Sequence, residues 1–232
     1  MLQVPGRDSA DCRFAVSLPR EPGRYEIVCR AQCGGLSASA TVPVVTEASY
    51  PVIADLLDPQ LPYTRGHCIR GGQETEGLAA LNDGSFEPTV GVSGGVARPC
   101  LFSHPPYGGA RAGYSFAAWD ITLPAERTSL LQFQTGMRDG LDATDGVTFR
   151  VVVITPQGTA AEVFSRHYRK TEWEPAEADL TAFAGKKVRL KLIADCGPKD
   201  DTTADHALWA EPKVVLKDER EMATMVRQAP RG

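Results

Sequence analysis

No apolar run in this 232-residue chain approaches the ~20 residues that a helix needs to cross a bilayer, so membrane insertion is not expected. A basic excess is missing as well. Lys and Arg total 25 against 29 Asp and Glu, and the net charge is -4. That balance, with a pI near 5.6, argues against a nucleic-acid backbone or an anionic membrane as partner. The first residues, Met1 to Asp8, lack a basic stretch followed by an apolar one, so no signal peptide is visible. No C-x-x-C pair occurs, and Cys29 and Cys33 have no matching second pair, which makes a zinc site unexpected. G-x-S-x-G, H-E-x-x-H and Walker-type loops are absent too. No catalytic residue is therefore nominated, and the chain is not expected to be an enzyme.

What is present reads as an ordinary globular protein: 23% charged and 42% hydrophobic residues, enough for one large β domain or two small ones. Six cysteines (Cys12, Cys29, Cys33, Cys68, Cys100, Cys196) permit 15 disulfide pairings, and buried free thiols are an equally good reading. Alternation of the β type dominates. Cys12 to Pro19, Arg24 to Ala31 and Leu36 to Val45 predict three strands, the last two joined at Gly34-Gly35 as a hairpin. Together they resemble the late strands of an immunoglobulin-like sandwich, which normally needs about seven strands and ~100 residues. Residues 1–46 are thus expected to be a partial immunoglobulin-like segment of a chain that is a fragment.

Pro51, Pro59 and Pro62 mark residues 47–65 as a linker, with Val52 to Leu57 as a helical turn. Beyond it, short strands are expected around Leu101, at Tyr114 to Ile121, Ser129 to Thr135, Val147 to Ile154, Ala161 to Phe164, Lys187 to Ile193 and Val214 to Leu216. Turn signals punctuate them and no long amphipathic helix intervenes, which predicts an all-β sandwich or jelly roll over 66–217. Residues 218–232 form a polar tail.

Within that second domain the order runs from Leu81-Asn82-Asp83-Gly84 through Phe102-Ser103-His104-Pro105-Pro106 to Gly136-Met137-Arg138-Asp139-Gly140. It closes with Trp173-Glu174-Pro175, Asp179-Leu180-Thr181 and Asp205-His206-Ala207-Leu208-Trp209-Ala210-Glu211-Pro212. This resembles the galactose-binding-like jelly rolls, and most closely the NPCBM type found beside glycoside hydrolase catalytic domains. The resemblance implies a jelly-roll β-sandwich and a non-catalytic carbohydrate-binding-type module of a larger secreted or surface protein. It implies as partners a glycan or the adjoining catalytic domain. Leu208 stands where the family often has a second acid.

Three constellations carry candidate chemistry. Asp139, Asp142 and Asp145, with Gly140 and Gly146, offer closely spaced hard oxygen ligands that suit a structural calcium ion. The alternative is a solvated β-turn whose aspartates cap local backbone amides. Tyr168, Trp173 and Tyr107 fall in or beside predicted loops, where aromatic rings can stack on the C–H faces of a sugar, and His206 joins them as a ligand-binding candidate. Trp209 is expected in the core. His104, His167 and His206 lie beside Asp120, Asp200, Asp201 and Asp205 without any arrangement that places a base against a nucleophile. Two rival readings stay open: a structural or protein-docking sandwich without glycan affinity, and a hydrolase with His206 or His104 hydrogen-bonded to a buried carboxylate in a pocket.

Overall fold

Alternation along the chain becomes pairing. The structure, a computed structural model, describes residues 23–33, 36–46, 50–108, 111–125, 127–140 and 143–217. The chain divides into two compact units, Met1–Ser49 and Tyr50–Gly232. In the first, β1 (Gly23–Cys33) and β2 (Leu36–Thr46) form an antiparallel hairpin in unbroken register, from Gly23 opposite Thr46 to Cys33 opposite Leu36. The two residues left between them are the Gly34-Gly35 pair, the connection expected from the sequence. The expected strand over Cys12 to Pro19 and the tail 218–232 lie outside the described residues.

The second unit is an all-β sandwich of two antiparallel sheets, as the spacing of turns predicted. Its strands are β3 (Val52–Asp55), β4 (Thr64–Ile69), β5 (Thr75–Glu76), β6 (Ser85–Ser93), β7 (Val96–His104), β8 (Gly113–Thr122) and β9 (Thr128–Met137). They continue with β10 (Val147–Ile154), β11 (Ala160–Tyr168), β12 (Glu174–Asp179), β13 (Lys187–Asp195) and β14 (Ala207–Lys217). One sheet runs β11-β10-β13-β8-β4-β5; the other runs β12-β9-β14-β7-β6, with β3 also on β14. Strands adjacent in space are often distant in sequence, the crossing pattern of a jelly roll.

The proline-marked stretch is not a linker. Val52 and Ala54 pair with Val215 and Val214, so the segment read as a helical turn is a strand, and β4 already begins at Thr64. Pro51, Pro59 and Pro62 lie outside the ladder positions and interrupt nothing. Room for β3 comes from a bulge: β14 pairs with β7 over Ala207 to Ala210, kinks at Glu211 (φ 49°) and Pro212, and then turns the same side toward β3.

The core follows from strand parity. Trp119, Phe149, Val151, Leu190 and Leu192 from one sheet meet Leu101, Leu131, Phe133 and Trp209 from the other. Trp209 is fully buried, with ring centroids 4.9 Å from Phe149 and 5.2 Å from Phe133, and its Nε1–H donates to Ser103 Oγ at 3.3 Å. Truncating such a side chain typically costs about 3–5 kcal/mol. Cys68, Cys100 and Cys196 are buried free thiols.

Candidate functional site

Parity also decides what the outer faces carry. Since Leu101, Ala207 and Trp209 point inward, Cys100, Phe102, Leu208 and Ala210 must point outward, and they form a small cluster on the outside of the β6–β7–β14 sheet. Leu208 is nevertheless only 1% exposed. Trp173, entering β12, covers one end of the cluster, and its Nε1–H donates to Val96 O at 2.8 Å. Gly136 makes that approach possible, because a Cβ there would sit 2.8 Å from the indole. Gly91 does the same on β6, where a Cβ would meet Cys100 Sγ and a Leu208 methyl at 2.8 Å.

Between these residues lies a groove of about 400 Å³. Phe102, Leu208 and Gly91 line it with Glu87, Thr89 and Val90, and Arg138 and Asp139 close one side. The loop after β9 is fastened at three places. Asp139 N–H donates to Val92 O at 3.0 Å, Arg138 N–H to His206 O at 3.0 Å, and the Asp139 carboxylate accepts from Gly94 and Gly95 N–H, both at 2.8 Å. Arg138 is exposed and its backbone is pinned, so its guanidinium is presented from a fixed base.

Behind Phe102 runs a chain of edge-on rings. His206 meets Phe102 at 5.3 Å and His104 at 5.1 Å, and His104 meets Tyr107 at 4.9 Å. Burial, then the neighbouring His104 and Arg138, depress the His206 pKa to about 4. Burial lowers His104 below the ordinary imidazole range as well, and its Nδ1–H donates to Pro105 O at 2.6 Å. Both rings are therefore neutral near pH 7. Asp205 beside them is fully buried. Its Oδ1 accepts from the Thr144 hydroxyl at 2.7 Å, its Oδ2 has no partner among the described residues, and desolvation together with Asp145 and Asp201 lifts its pKa to about 7.

The residues nominated from sequence separate on this map. Trp173 and His206 come to the outer-face cluster and the groove's edge, and Tyr107 joins through His104. Tyr168 does not. It is buried, its ring packs on Phe149 at 6.4 Å, and its hydroxyl donates to Glu172 O at 2.8 Å. The reason is that β11 continues to Tyr168, which pairs with the inward-facing Val147 instead of standing in a loop. Desolvation, then Glu172 and Glu174, push its phenol up to about 12.

The acidic loop is seen at its two ends. Asp139 accepts from Gly94 and Gly95 N–H of the distant β6–β7 turn and not from amides of its own turn. Asp145 lies toward Lys199 (3.5 Å) and carries a buried Oδ1 without a partner among the described residues. Asp142 lies outside the described residues. Among those residues no group of three or more His, Cys, Asp or Glu side chains could hold a metal. Of the two histidines that the hydrolase reading named, His104 bonds a carbonyl, and His206 Nδ1 has no partner among the described residues.

Sequence reading missed Phe102, Arg138, Leu208 and Glu87. The signal for Phe102 and Leu208 was available, since each alternates with a core residue on its strand.

No protein-family model matches the chain. An uncharacterized protein of Archaeoglobus fulgidus is 29% identical over 123 residues, 49% of this chain and 30% of that protein, so the match spans less than a third of the relative. Among solved structures, the CBM51-2 and INT domains of Clostridium perfringens ZmpB align over 91% of this chain and 42% of that one, at 14% identity and a TM-score of 0.39. The CBM22-1 xylan-binding domain of Paenibacillus barcinonensis Xyn10C aligns over 73% and 97%, at 11% identity and a TM-score of 0.41. TmCBM61, solved with β-1,4-galactotriose, aligns over 51% and 71%, at 11% identity and a TM-score of 0.37. At such values these likenesses assign no function to this chain.

Proposed function

We propose that the second unit is a non-catalytic carbohydrate-binding module that holds a glycan in the groove over Phe102 and Leu208. The observation that carries the reading is the pairing of an apolar floor with a charged rim in one depression of about 400 Å³. A sugar ring has an apolar C–H face and an equator of hydroxyls. Phe102 offers the face a surface to pack on, Glu87 accepts from hydroxyls, and Arg138 donates to them. Val90 and Thr89 border the opening on the edge strand. On this reading the role is binding, as part of a larger secreted or surface protein with an adjoining catalytic domain. So shallow a site buries little area, and its affinity falls in the weak range for glycans.

A glycan array followed by calorimetry on the best ligand tests this. Phe102→Ala and Arg138→Ala should each abolish the signal while leaving the thermal transition in place, and Trp173→Ala should weaken it. The reading is lost if no glycan binds, or if binding survives both substitutions. One observation favours the protein-docking alternative. Val90, Val96 and Val92 are 65%, 49% and 39% exposed on the same hairpin. In that case Val90→Ser would disrupt a protein complex and no sugar would compete.

A further inference from the structure

The other sheet carries a cavity of its own. About 480 Å³ in volume, it lies on the outer face of β10, β11 and β13, and Arg70, Arg150, Glu162, Ser165, Thr148, Asp195 and Asp200 line most of it. We infer that it is a second binding site, for a neutral saccharide unit recognised through paired hydroxyls. It shares no residue with the Phe102 groove and does not depend on the reading given to that groove.

The argument begins with Asp195, only 6% exposed although it is a carboxylate. Its Oδ1 accepts from Arg70 Nη2 at 3.0 Å and from Gly197 N–H at 2.9 Å, and its Oδ2 lies 3.8 Å from Arg150 Nη1. One sunken carboxylate thus anchors two guanidinium groups. Each guanidinium is tied a second time: Arg150 Nε donates to Glu162 Oε2 at 2.5 Å, and Arg70 Nε pairs with Asp200. Arg70 Nη2 also donates to Gly197 O at 3.1 Å. Arg70 is held by hydrogen bonds to Asp195 and Gly197 O and by its pairing with Asp200, and Arg150 by one hydrogen bond to Glu162 and a longer ion pair to Asp195. This leaves N–H groups of both guanidinium groups for a ligand in the cavity.

Charge then selects the ligand class. Two cations face three carboxylates. An anion would meet Glu162, Asp195 and Asp200, and a cation would meet Arg70 and Arg150. Neither gains on entering. An apolar ligand would strip water from charged groups without replacing the hydrogen bonds, a costly exchange. A hydroxyl suits the lining because it donates and accepts at once. One sugar hydroxyl can accept from a guanidinium N–H while it donates to the carboxylate already bonded to that guanidinium, and its neighbour on the ring can do the same at the next pair. Polar groups on the far wall extend the set. Thr148 donates its hydroxyl to His167 Nδ1 at 3.0 Å, because His167 Nε2–H is committed to Asp145 O at 3.1 Å. The Thr148 oxygen lone pairs remain for a ligand, as does the exposed Ser165 hydroxyl. None of the described lining residues is aromatic, so selectivity here comes from hydroxyl geometry and not from stacking.

Amide NMR of the whole chain, titrated with the methyl glycosides of galactose, glucose, mannose and fucose to roughly 50 mM, reads the site directly in this weak-binding range. Acetate and inorganic phosphate are titrated as anion controls. At least one glycoside should give saturable shifts at Arg150, Ser165 and Gly197, weakened by about tenfold or more in Arg150→Gln and in Glu162→Gln. Ser165→Ala, on an exposed edge-strand position, should weaken binding severalfold with an otherwise unchanged spectrum, which covers the case in which either charged variant perturbs folding. Shifts at Phe102 and Arg138 report the groove separately, so either site can fail without the other. Saturation by phosphate or acetate alone, silence with every glycoside, or binding indifferent to all three substitutions overturns the inference.

Discussion

Replacing Asp205 with Asn should stabilise the protein above neutral pH and change the slope of its stability against pH. In the folded chain Asp205 is fully buried with one oxygen unpartnered among the described residues, and desolvation, then Asp145 and Asp201, raise its pKa to about 7 from 3.8. Between those values the folded state keeps a proton that the unfolded state has released, so stability falls as pH rises from about 4 to about 7. At about 1.4 kcal/mol per pKa unit, the displacement corresponds to a ceiling of about 4 kcal/mol. His206 works the other way. Its folded pKa is depressed to about 4 from 6.5, so the unfolded state binds the extra proton and stability is lost as pH falls through that window. His104 adds to the same side. In the wild type the opposing slopes largely cancel from about pH 4 to 6.5, with a net decline just above. Asn has the shape of the neutral acid, and its Oδ1 can still accept from Thr144. Urea unfolding with EDTA present, followed by the three tryptophans, should therefore show the variant gaining stability steadily from pH 4 to 6.5 and holding it at pH 8. There it should exceed the wild type by about 1–3 kcal/mol, since an unpaired buried charge has been removed. A variant less stable than wild type at pH 8, with the wild-type pH profile, would refute the reasoning.

Gly136→Ala should cost about 1–3 kcal/mol by overpacking, because the new methyl meets the Trp173 ring at 2.8 Å and Ser93 Oγ at 2.9 Å; a shift of Trp173 fluorescence toward the solvent-exposed spectrum checks that the indole is displaced. Calcium binding by the acidic loop predicts a rise in Tm on adding millimolar calcium that disappears in Asp142→Ala, and the absence of any shift dismisses the assignment.

Strand parity was the part of this molecule most legible in its sequence. Leu190 and Leu192 alternate with Lys191 and Ile193, and Phe149 and Val151 alternate with Arg150 and Val152; the structure buries the first set between the sheets. Punctuation was less dependable. Pro51 and Pro59 flank β3 without breaking it, because a strand of four residues pairs at positions where no proline amide is required. The sites were least legible. Arg70 and Asp195 are 125 residues apart, and their meeting depends on β4, β8 and β13 lying side by side, a register that no local pattern encodes. Tyr168 was misplaced for a related reason. Its role depends on how far β11 runs, and strand ends are set by the partner strand more than by the residues themselves.

The stretch from Asp205 to Ala210 shows how one strand serves both faces. Ala207 and Trp209 go inward, Leu208 and Ala210 outward, and a slip of one residue would exchange core for groove. Leu208 is also the position at which the resemblance read from the sequence implies an acid, and here the surroundings enclose an apolar side chain. Gly91, Cys100 and Trp173 enclose it, and it is 1% exposed on what is nominally the outer face. Leu208→Asp would bury a carboxylate in the apolar enclosure formed by Gly91, Cys100 and Trp173, so a loss of about 2–4 kcal/mol and a raised carboxylate pKa are expected. Leu208→Met should be nearly neutral, since it keeps volume and polarity. If the aspartate were tolerated and strengthened sugar binding, the floor of the groove would be polar in function, and the apolar contact made by Phe102 would not be what selects the ligand. Chemical denaturation and the glycan titration of the two Leu208 variants decide between a floor built for the C–H face of a sugar and one that merely lacks an acid.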